Sequence, residues 1–194
     1  MTLKEFFDNY DIKIAWYLLQ SHVPEIYILK KTIEVKQNVN DLTYAQFVAA
    51  SMLLERQITC FDLIRSLIVI FNWDQITNDQ FFIGGYSEYL YLVDNIDVSS
   101  AYPIARHYKR ILNKQCRVHK KRLSYKPKAE DIQDGIDMFN ELSFYNSCRA
   151  VAINFGVKPN DVMGWNYSEV FVELLYQKIN NKFQENRIRR INKT

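Results

Sequence analysis

The sequence contains one pair of side chains whose types and spacing suit a metal ion. Cys116 precedes His119 by three residues, which is a common spacing for two zinc ligands. No carboxylate or second thiol follows three or four residues further on to complete a ligand set. His107 and His119 both lie among lysines and arginines, and these cations disfavour a bound metal ion. We therefore expect no metal site.

A second candidate for chemistry is a row of carboxylates. Asp131, Asp134 and Asp137 repeat every third residue, which would place them on one face of a helix as in an acid–base or metal cluster. The predicted helix begins near Glu130, and acidic side chains stabilise the first turns of any helix through its dipole. The arrangement therefore indicates a structural role.

The remaining patterns that resemble reactive sites lack essential residues. The stretch "FIGGYS" around Gly84 and Gly85 has neither the glycine spacing nor the lysine of a phosphate-binding loop. Ser143 and Ser147 lack the glycines of a nucleophile elbow. We expect no catalytic residue, no cofactor and no enzymatic activity.

The strongest chemical feature is a run of positive charge. Residues 106–128, "RHYKRILNKQCRVHKKRLSYKPK", contain ten lysines and arginines and no acidic residue, whereas the rest of the chain has 15 basic and 22 acidic residues. The C-terminal end is basic as well. We predict contact with a partner or with DNA for these residues: Arg106, Lys109, Arg110, Lys114, Arg117, Lys120, Lys121, Arg122, Arg187, Arg189 and Arg190.

Three interpretations of this basic stretch are open. Clustered lysines and arginines neutralise phosphates, and Tyr108 and Tyr125 would stack on bases. The same charges suit an acidic surface on a protein partner, including a neighbouring copy of the chain. In the third interpretation the stretch is a solvated helix face. Its apolar residues then pack inward, namely Ile111, Leu112 and Val118.

Size and composition are those of a globular protein. The chain has 194 residues, 48% of them hydrophobic, which is enough for one domain with a sizeable core. Its 13 tyrosines and 12 phenylalanines suit contacts between subunits. Three scattered cysteines fit a reducing compartment. The longest apolar run, "LIVIF", is far shorter than the roughly 20 residues of a membrane-spanning helix, and no signal peptide is expected.

Capping signals place the helices that position the basic stretch. Thr2 and Glu5 form a capping-box pattern, so a first helix is expected up to Pro24. β-Branched residues favour a strand over residues 26–36, with a helix as the alternative. Asp41 or Thr43 caps a helix with an apolar stripe. Thr59 caps the next amphipathic helix, so that the two form an antiparallel hairpin.

The second half contains further start and stop signals. Gly156 is expected to end a helix that runs from about residue 143, and Pro159 to begin a short one. Asn166 and Glu169 stand at capping-box spacing before the last helix, whose Phe171, Leu174 and Leu175 are expected to face inward. We predict a mainly α-helical bundle with a small β or irregular insertion around residues 75–103. Residues 1–128 would form a helical domain that ends in the basic segment, and residues 129–194 a subdomain with a basic tail.

Two segments resemble small helical proteins of tailed bacteriophages. They are "LTYAQFVAASMLLERQITCFDLIRSLIVIF", residues 42–71, and "CRAVAINFGVKPNDVMGWNYSEVFVELLYQ", residues 148–177. Both resemble tail-assembly chaperones and related morphogenesis proteins in having a helix, a tight corner and a following amphipathic helix. The amino-acid composition, rich in Asn, Lys, Ile and Tyr, is similar to that of proteins from crAss-like phages, a group that has neck and tail ring proteins.

The resemblance implies a structural role with no catalytic position. It implies a virion protein, made in the cytoplasm of the bacterial host, that forms a ring or connector in the neck or tail. Its partners would be copies of itself in a cyclic homo-oligomer, other neck and tail proteins, and packaged DNA through the basic stretch. The alternatives are a tail-assembly chaperone and a DNA-binding protein without sequence specificity that is carried with the genome.

Overall fold

Helices dominate the computed structural model, which describes residues 2–5, 25–28, 31–77, 79–124 and 143–192. The prediction of a mainly α-helical fold is confirmed. The predicted boundary between residues 128 and 129 and the predicted helix beginning near Glu130 lie outside the described residues. The elements are β1 (Glu25–Ile28), β2 (Lys31–Glu34), the 3-10 helix η1 (Val39–Asp41), α1 (Tyr44–Glu55), α2 (Cys60–Phe71), α3 (Trp73–Ile76), the 3-10 helix η2 (Tyr86–Val93), α4 (Val98–Leu123), α5 (Ser143–Phe155), α6 (Pro159–Met163) and α7 (Tyr167–Ile191).

The N-terminal capping box and the early strand are both present. The Glu5 backbone N–H donates to Thr2 Oγ1 at 3.2 Å, and the Thr2 N–H donates to Glu5 Oε2 at 2.9 Å. The rest of the predicted first helix, up to Pro24, lies outside the described residues. β1 and β2 form an antiparallel pair, with Ile26 opposite Ile33. The preference for strand over helix is therefore confirmed, although these residues form two short strands instead of one strand over residues 26–36.

α1 and α2 begin where the capping signals predict. Gln46 forms the capping box with Thr43, because its N–H donates to Thr43 Oγ1 at 3.2 Å and its Oε1 accepts from the Thr43 N–H at 2.8 Å. Gln46 Nε2 also donates to the Ile70 carbonyl of α2 at 2.7 Å. Thr59 Oγ1 accepts from the Asp62 N–H at the start of α2. One buried side chain thus both caps α1 and joins it to α2.

The apolar stripe predicted for α1 is buried at Phe47, Ala50 and Leu53, but burial is not confined to one side of the helix. Residues 44–50 are all buried, whatever side of the helix they occupy. The cause lies in tertiary packing, since α2, α4, α6 and α7 all contact α1. α1 is therefore the central helix of the described bundle.

The predicted insertion around residues 75–103 is irregular, and the β alternative is wrong. Gly84 and Gly85 do form a turn, but the 3-10 helix η2 follows them, and the described residues of this range contain no strand. α4 begins within it, at Val98. η2 packs on α2, where Arg65 Nε lies 2.7 Å from Asp94 Oδ1. The segment is thus held by side-chain contacts.

The chain from α5 to α7 confirms most of the predicted stops. Gly156 ends α5 with φ 66°, in the left-handed region, and the Val157 N–H returns to the Ala152 carbonyl at 3.1 Å. Pro159 opens α6. α7 begins after Asn166 as predicted.

The predicted Asn166–Glu169 capping box is wrong, because the Asn166 side chain makes no capping hydrogen bond. The backbone replaces it. The Tyr44 N–H donates to the Trp165 carbonyl at 2.8 Å, and the Tyr167 N–H donates to the Leu42 carbonyl at 2.9 Å. This antiparallel bridge fixes the start of α7 against the start of α1.

One hydrophobic cluster contains buried residues from β2 to α7. The Phe71 ring of α2 stacks on the Tyr108 ring of α4, with centroids 4.1 Å apart. Cys148, Val162 and Tyr167, from the three C-terminal helices, belong to the same cluster. The described part of the basic stretch therefore lies on a helix anchored in the common core.

Candidate partner-binding surface

The basic stretch lies on the outer face of α4. Eight of its predicted contact residues fall on this helix and all eight are exposed. At 3.6 residues per turn, seven of them fall within an arc of about 140° around the helix axis, and Arg122 lies to the side. The seven are Arg106, Lys109, Arg110, Lys114, Arg117, Lys120 and Lys121. We call them the basic face.

The opposite side of α4 is buried in the core. Ile104, Tyr108 and Leu112 are no more than 1% exposed. The predicted stacking of Tyr108 on bases is therefore wrong, and Tyr125 lies outside the described residues. Leu112 packs inward as predicted and Ile111 is half-buried, but Val118 is exposed, so that part of the prediction is wrong.

Cys116 and His119, the metal-like pair, both face neighbouring helices. Cys116 Sγ lies 3.4 Å from Ser51 Oγ, and burial raises the pKa of this thiol. His119 Nδ1 lies 3.2 Å from the Tyr167 hydroxyl, and burial lowers the pKa of the imidazole. The Phe47 ring lies 5.5 Å from the His119 ring. Both side chains thus help to join α4 to α1 and α7. Within the described ranges, no group of three or more His, Cys, Asp or Glu side chains is placed to hold a metal ion.

α7 runs beside α4 in the same direction and continues past its end. Gln115 Nε2 donates to the Tyr167 hydroxyl at 3.1 Å near the start of α7. Further along, Lys178 Nζ donates to the carbonyls of Arg122 and Ser124 at 2.6 and 3.0 Å. A cation at the C-terminal end of a helix satisfies free carbonyls and the helix dipole. α4 ends at this point, whereas α7 has 13 more residues, or about 20 Å of helix.

The second half of α7 is exposed all round. Every residue from 178 to 192 is exposed, including the predicted contact residues Arg187, Arg189 and Arg190. These arginines lie beyond the C-terminal end of α4. Lys120, Lys121 and Arg122 lie in the last turn of α4 itself. The described structure therefore brings the two basic groups of the sequence to the same end of the molecule.

A row of large apolar side chains lies on the outer side of α7. Val172, Tyr176, Ile179 and Phe183 are between 55% and 63% exposed. We call these four residues the α7 stripe. On the other side of α7, the inward-facing residues Phe171, Leu174 and Leu175 are half-buried, as predicted. Sequence reasoning missed the stripe, although its 4-3-4 spacing is a signal for helix pairing.

A shallow groove adjoins the stripe at the start of α7. Phe155, from the end of α5, contacts Trp165 edge-to-face, with centroids 5.2 Å apart. Ser168, Glu169, Val172 and Glu173 complete the wall of the groove. The groove and the stripe together form a largely apolar surface with two acidic residues, Glu169 and Glu173, at one end.

The chain matches no protein-family model, no curated protein and no solved structure. Of the helices in the described ranges, none combines the length and the hydropathy needed to cross a membrane.

Proposed function

We propose that this chain is a structural protein of a bacteriophage virion, a ring or connector component of the neck or tail. It assembles through contacts with copies of itself and with other neck and tail proteins. The observation that carries the proposal is the second half of α7. It extends about 20 Å beyond the end of α4 with exposed apolar and basic side chains.

A helix in this position needs a partner. Isolated helices of this length are marginal in water, and most helices in proteins are stabilised by packing of an apolar face. Ile179 and Phe183 supply such a face on the second half of α7. A subunit packed against them would stabilise the helix, which is the behaviour expected of a component that holds its shape in an assembly.

The rest of the molecule supplies a rigid base and a charged surface. Core contacts among α1, α2 and α4 hold the basic face in place, and an acidic partner surface would bind to it. Heterologous contacts between aromatic-rich surfaces would close the ring. The resemblance of residues 42–71 and 148–177 to phage morphogenesis proteins supports the same role.

Quantitative mass spectrometry of purified phage particles tests the proposal. A virion component is present in mature particles in a fixed number of copies. A tail-assembly chaperone is instead found with other tail proteins in infected cells and is absent from finished particles. Absence from particles would overturn the proposal.

The basic face favours DNA binding without sequence specificity as a second candidate. If its seven side chains all neutralise phosphates, the logarithm of the affinity falls with the logarithm of the salt concentration with a slope of about −6. Replacing Lys120, Lys121 and Arg122 by Glu would then abolish binding to duplex DNA. Replacing Arg187, Arg189 and Arg190 by Glu shows whether α7 contributes as well.

Fluorescence anisotropy at several salt concentrations measures this directly. No detectable binding at low salt, or binding with a slope near zero, would eliminate DNA as the partner of the basic face. An acidic protein partner and a solvated helix face would then remain as interpretations of the basic face.

A further inference from the structure

The α7 stripe has a centre of symmetry along the helix. The outer pair, Val172 and Phe183, and the inner pair, Tyr176 and Ile179, have the same midpoint, between Gln177 and Lys178. Their 4-3-4 spacing is that of the contact positions in a two-helix coiled coil, where each apolar side chain inserts between side chains of the facing helix. An antiparallel copy of α7 would therefore place Val172 against Phe183 and Tyr176 against Ile179 twice.

Charges at the two ends of the stripe have the same symmetry. Glu169 lies before the stripe and Arg187 after it, on the same side of the helix and at nearly equal distances from the midpoint. Antiparallel pairing brings each Glu169 near an Arg187 of the other copy. Parallel pairing instead places Glu169 beside Glu169 and Arg187 beside Arg187, which costs free energy through repulsion.

The two halves of α7 also differ in a way that suits antiparallel pairing. The first half is attached to the body of the protein by its inward face, whereas the second half extends beyond α4 and is exposed all round. In an antiparallel pair, the second half of each α7 covers the stripe on the first half of the other copy. Arg190 then falls opposite Trp165 in the groove, a favourable arrangement for a cation and an aromatic ring.

We propose that the α7 stripe is a two-fold interface at which a second copy of this chain binds antiparallel. The interface joins copies in pairs. Because a two-fold contact cannot by itself close a ring of more than two subunits, other surfaces would close any ring, and the assembly would contain an even number of copies. The inference does not depend on the virion proposal. If the chain forms pairs but is absent from phage particles, the α7 interface is supported and the virion proposal is overturned.

Light scattering coupled to size-exclusion chromatography of the full chain tests the interface. The wild type is expected to form a dimer or a larger even-numbered assembly. Ile179→Glu should raise the dissociation constant at the α7 contact more than a hundredfold, because each substitution buries an unpaired charge and occurs twice in a two-fold contact. Ile188→Glu is the matched control. Ile188 is exposed on the same helix but outside the stripe, so this variant should assemble like the wild type.

Several results would overturn the proposal. They are a wild-type monomer at all concentrations, an odd-numbered assembly, or an Ile179→Glu variant that assembles as well as the Ile188→Glu control. Circular dichroism shows whether each variant has kept its fold, and both side chains are more than half exposed, so the fold is expected to tolerate both changes.

Exchange of charge between Glu169 and Arg187 tests the direction of pairing. Glu169→Arg and Arg187→Glu are each expected to weaken the dimer about twofold to tenfold at low salt, and the double variant should recover the wild-type affinity. In a parallel dimer like charges already face each other, so exchanging their signs changes nothing. Equal affinities for all four proteins, or a double variant weaker than both single ones, would contradict antiparallel pairing.

Discussion

Removing the hydroxyl of Tyr108 is expected to destabilise the fold without changing any surface to which another protein or DNA would bind. Tyr108 has no exposed surface, and burial raises the pKa of its phenol, which therefore remains a hydrogen-bond donor. Its hydroxyl donates to Asn72 Oδ1 at 2.9 Å, while Asn72 Nδ2 donates to the Ile68 carbonyl at 2.8 Å. Asn72 is itself completely buried, so no water replaces the lost donor.

The size of the effect follows from these contacts. Tyr108→Phe keeps the ring stacked on Phe71 and creates almost no cavity, so the main cost is the unsatisfied oxygen of Asn72. A buried acceptor without a partner costs about 1–3 kcal/mol. For a chain of this size, each kcal/mol lowers the melting temperature by about 2–4 °C.

Urea unfolding and thermal unfolding of the two proteins provide the measurement. Tyr91→Phe is the matched control, because Tyr91 is 63% exposed and lies outside the α7 stripe, so the free energy of unfolding of this variant should stay within about 0.5 kcal/mol of the wild type. A double-mutant cycle with Asn72→Ala isolates the coupling between the two side chains. A Tyr108→Phe variant as stable as the wild type would show that the hydrogen bond from Tyr108 to Asn72 does not stabilise the fold.

Three further predictions concern individual contacts. Because burial lowers the pKa of His119 below its usual value near 6.5, the unfolded chain takes up this proton at a higher pH than the folded protein. The free energy of unfolding should therefore fall as the pH drops below about 6.5 towards the folded-state pKa, and His119→Gln should lose this part of the pH dependence in urea titrations. Gly156→Ala should cost about 1–2 kcal/mol because its φ is 66°, whereas Gly164→Ala, at φ −81°, should be nearly neutral; equal effects in thermal unfolding would contradict the backbone argument. Lys178→Met removes two hydrogen bonds to the end of α4. It should lower the free energy of unfolding by about 1 kcal/mol at low salt and by less at high salt. A loss of stability that does not depend on salt would contradict the role of the charge.

Signals that act within a few residues were predictable from the sequence. Thr43 and Thr59 accept hydrogen bonds from the backbone three residues later, and these bonds need no tertiary partner. Gly156 ends α5 because few other residues adopt its backbone conformation. Such local chemistry places the helix ends independently of the rest of the fold.

Features decided by packing were not predictable in this way. Asn166 carries a capping signal, but the backbone bridge to α1 provides the hydrogen bonds at this helix start. The sequence presents Tyr108 among lysines and arginines, and only its position on α4 shows that it points to the core. The run of lysines and arginines was visible in the sequence. Their confinement to one side of α4 follows from which residues of this helix the core buries.

The copy number of this chain in mature phage particles decides whether it is a permanent structural component of the virion. We expect quantitative mass spectrometry to find the chain in purified particles at a constant and even number of copies per particle. Its absence from particles, with the chain recovered only from infected cells, would contradict the claim that it acts as a permanent structural component.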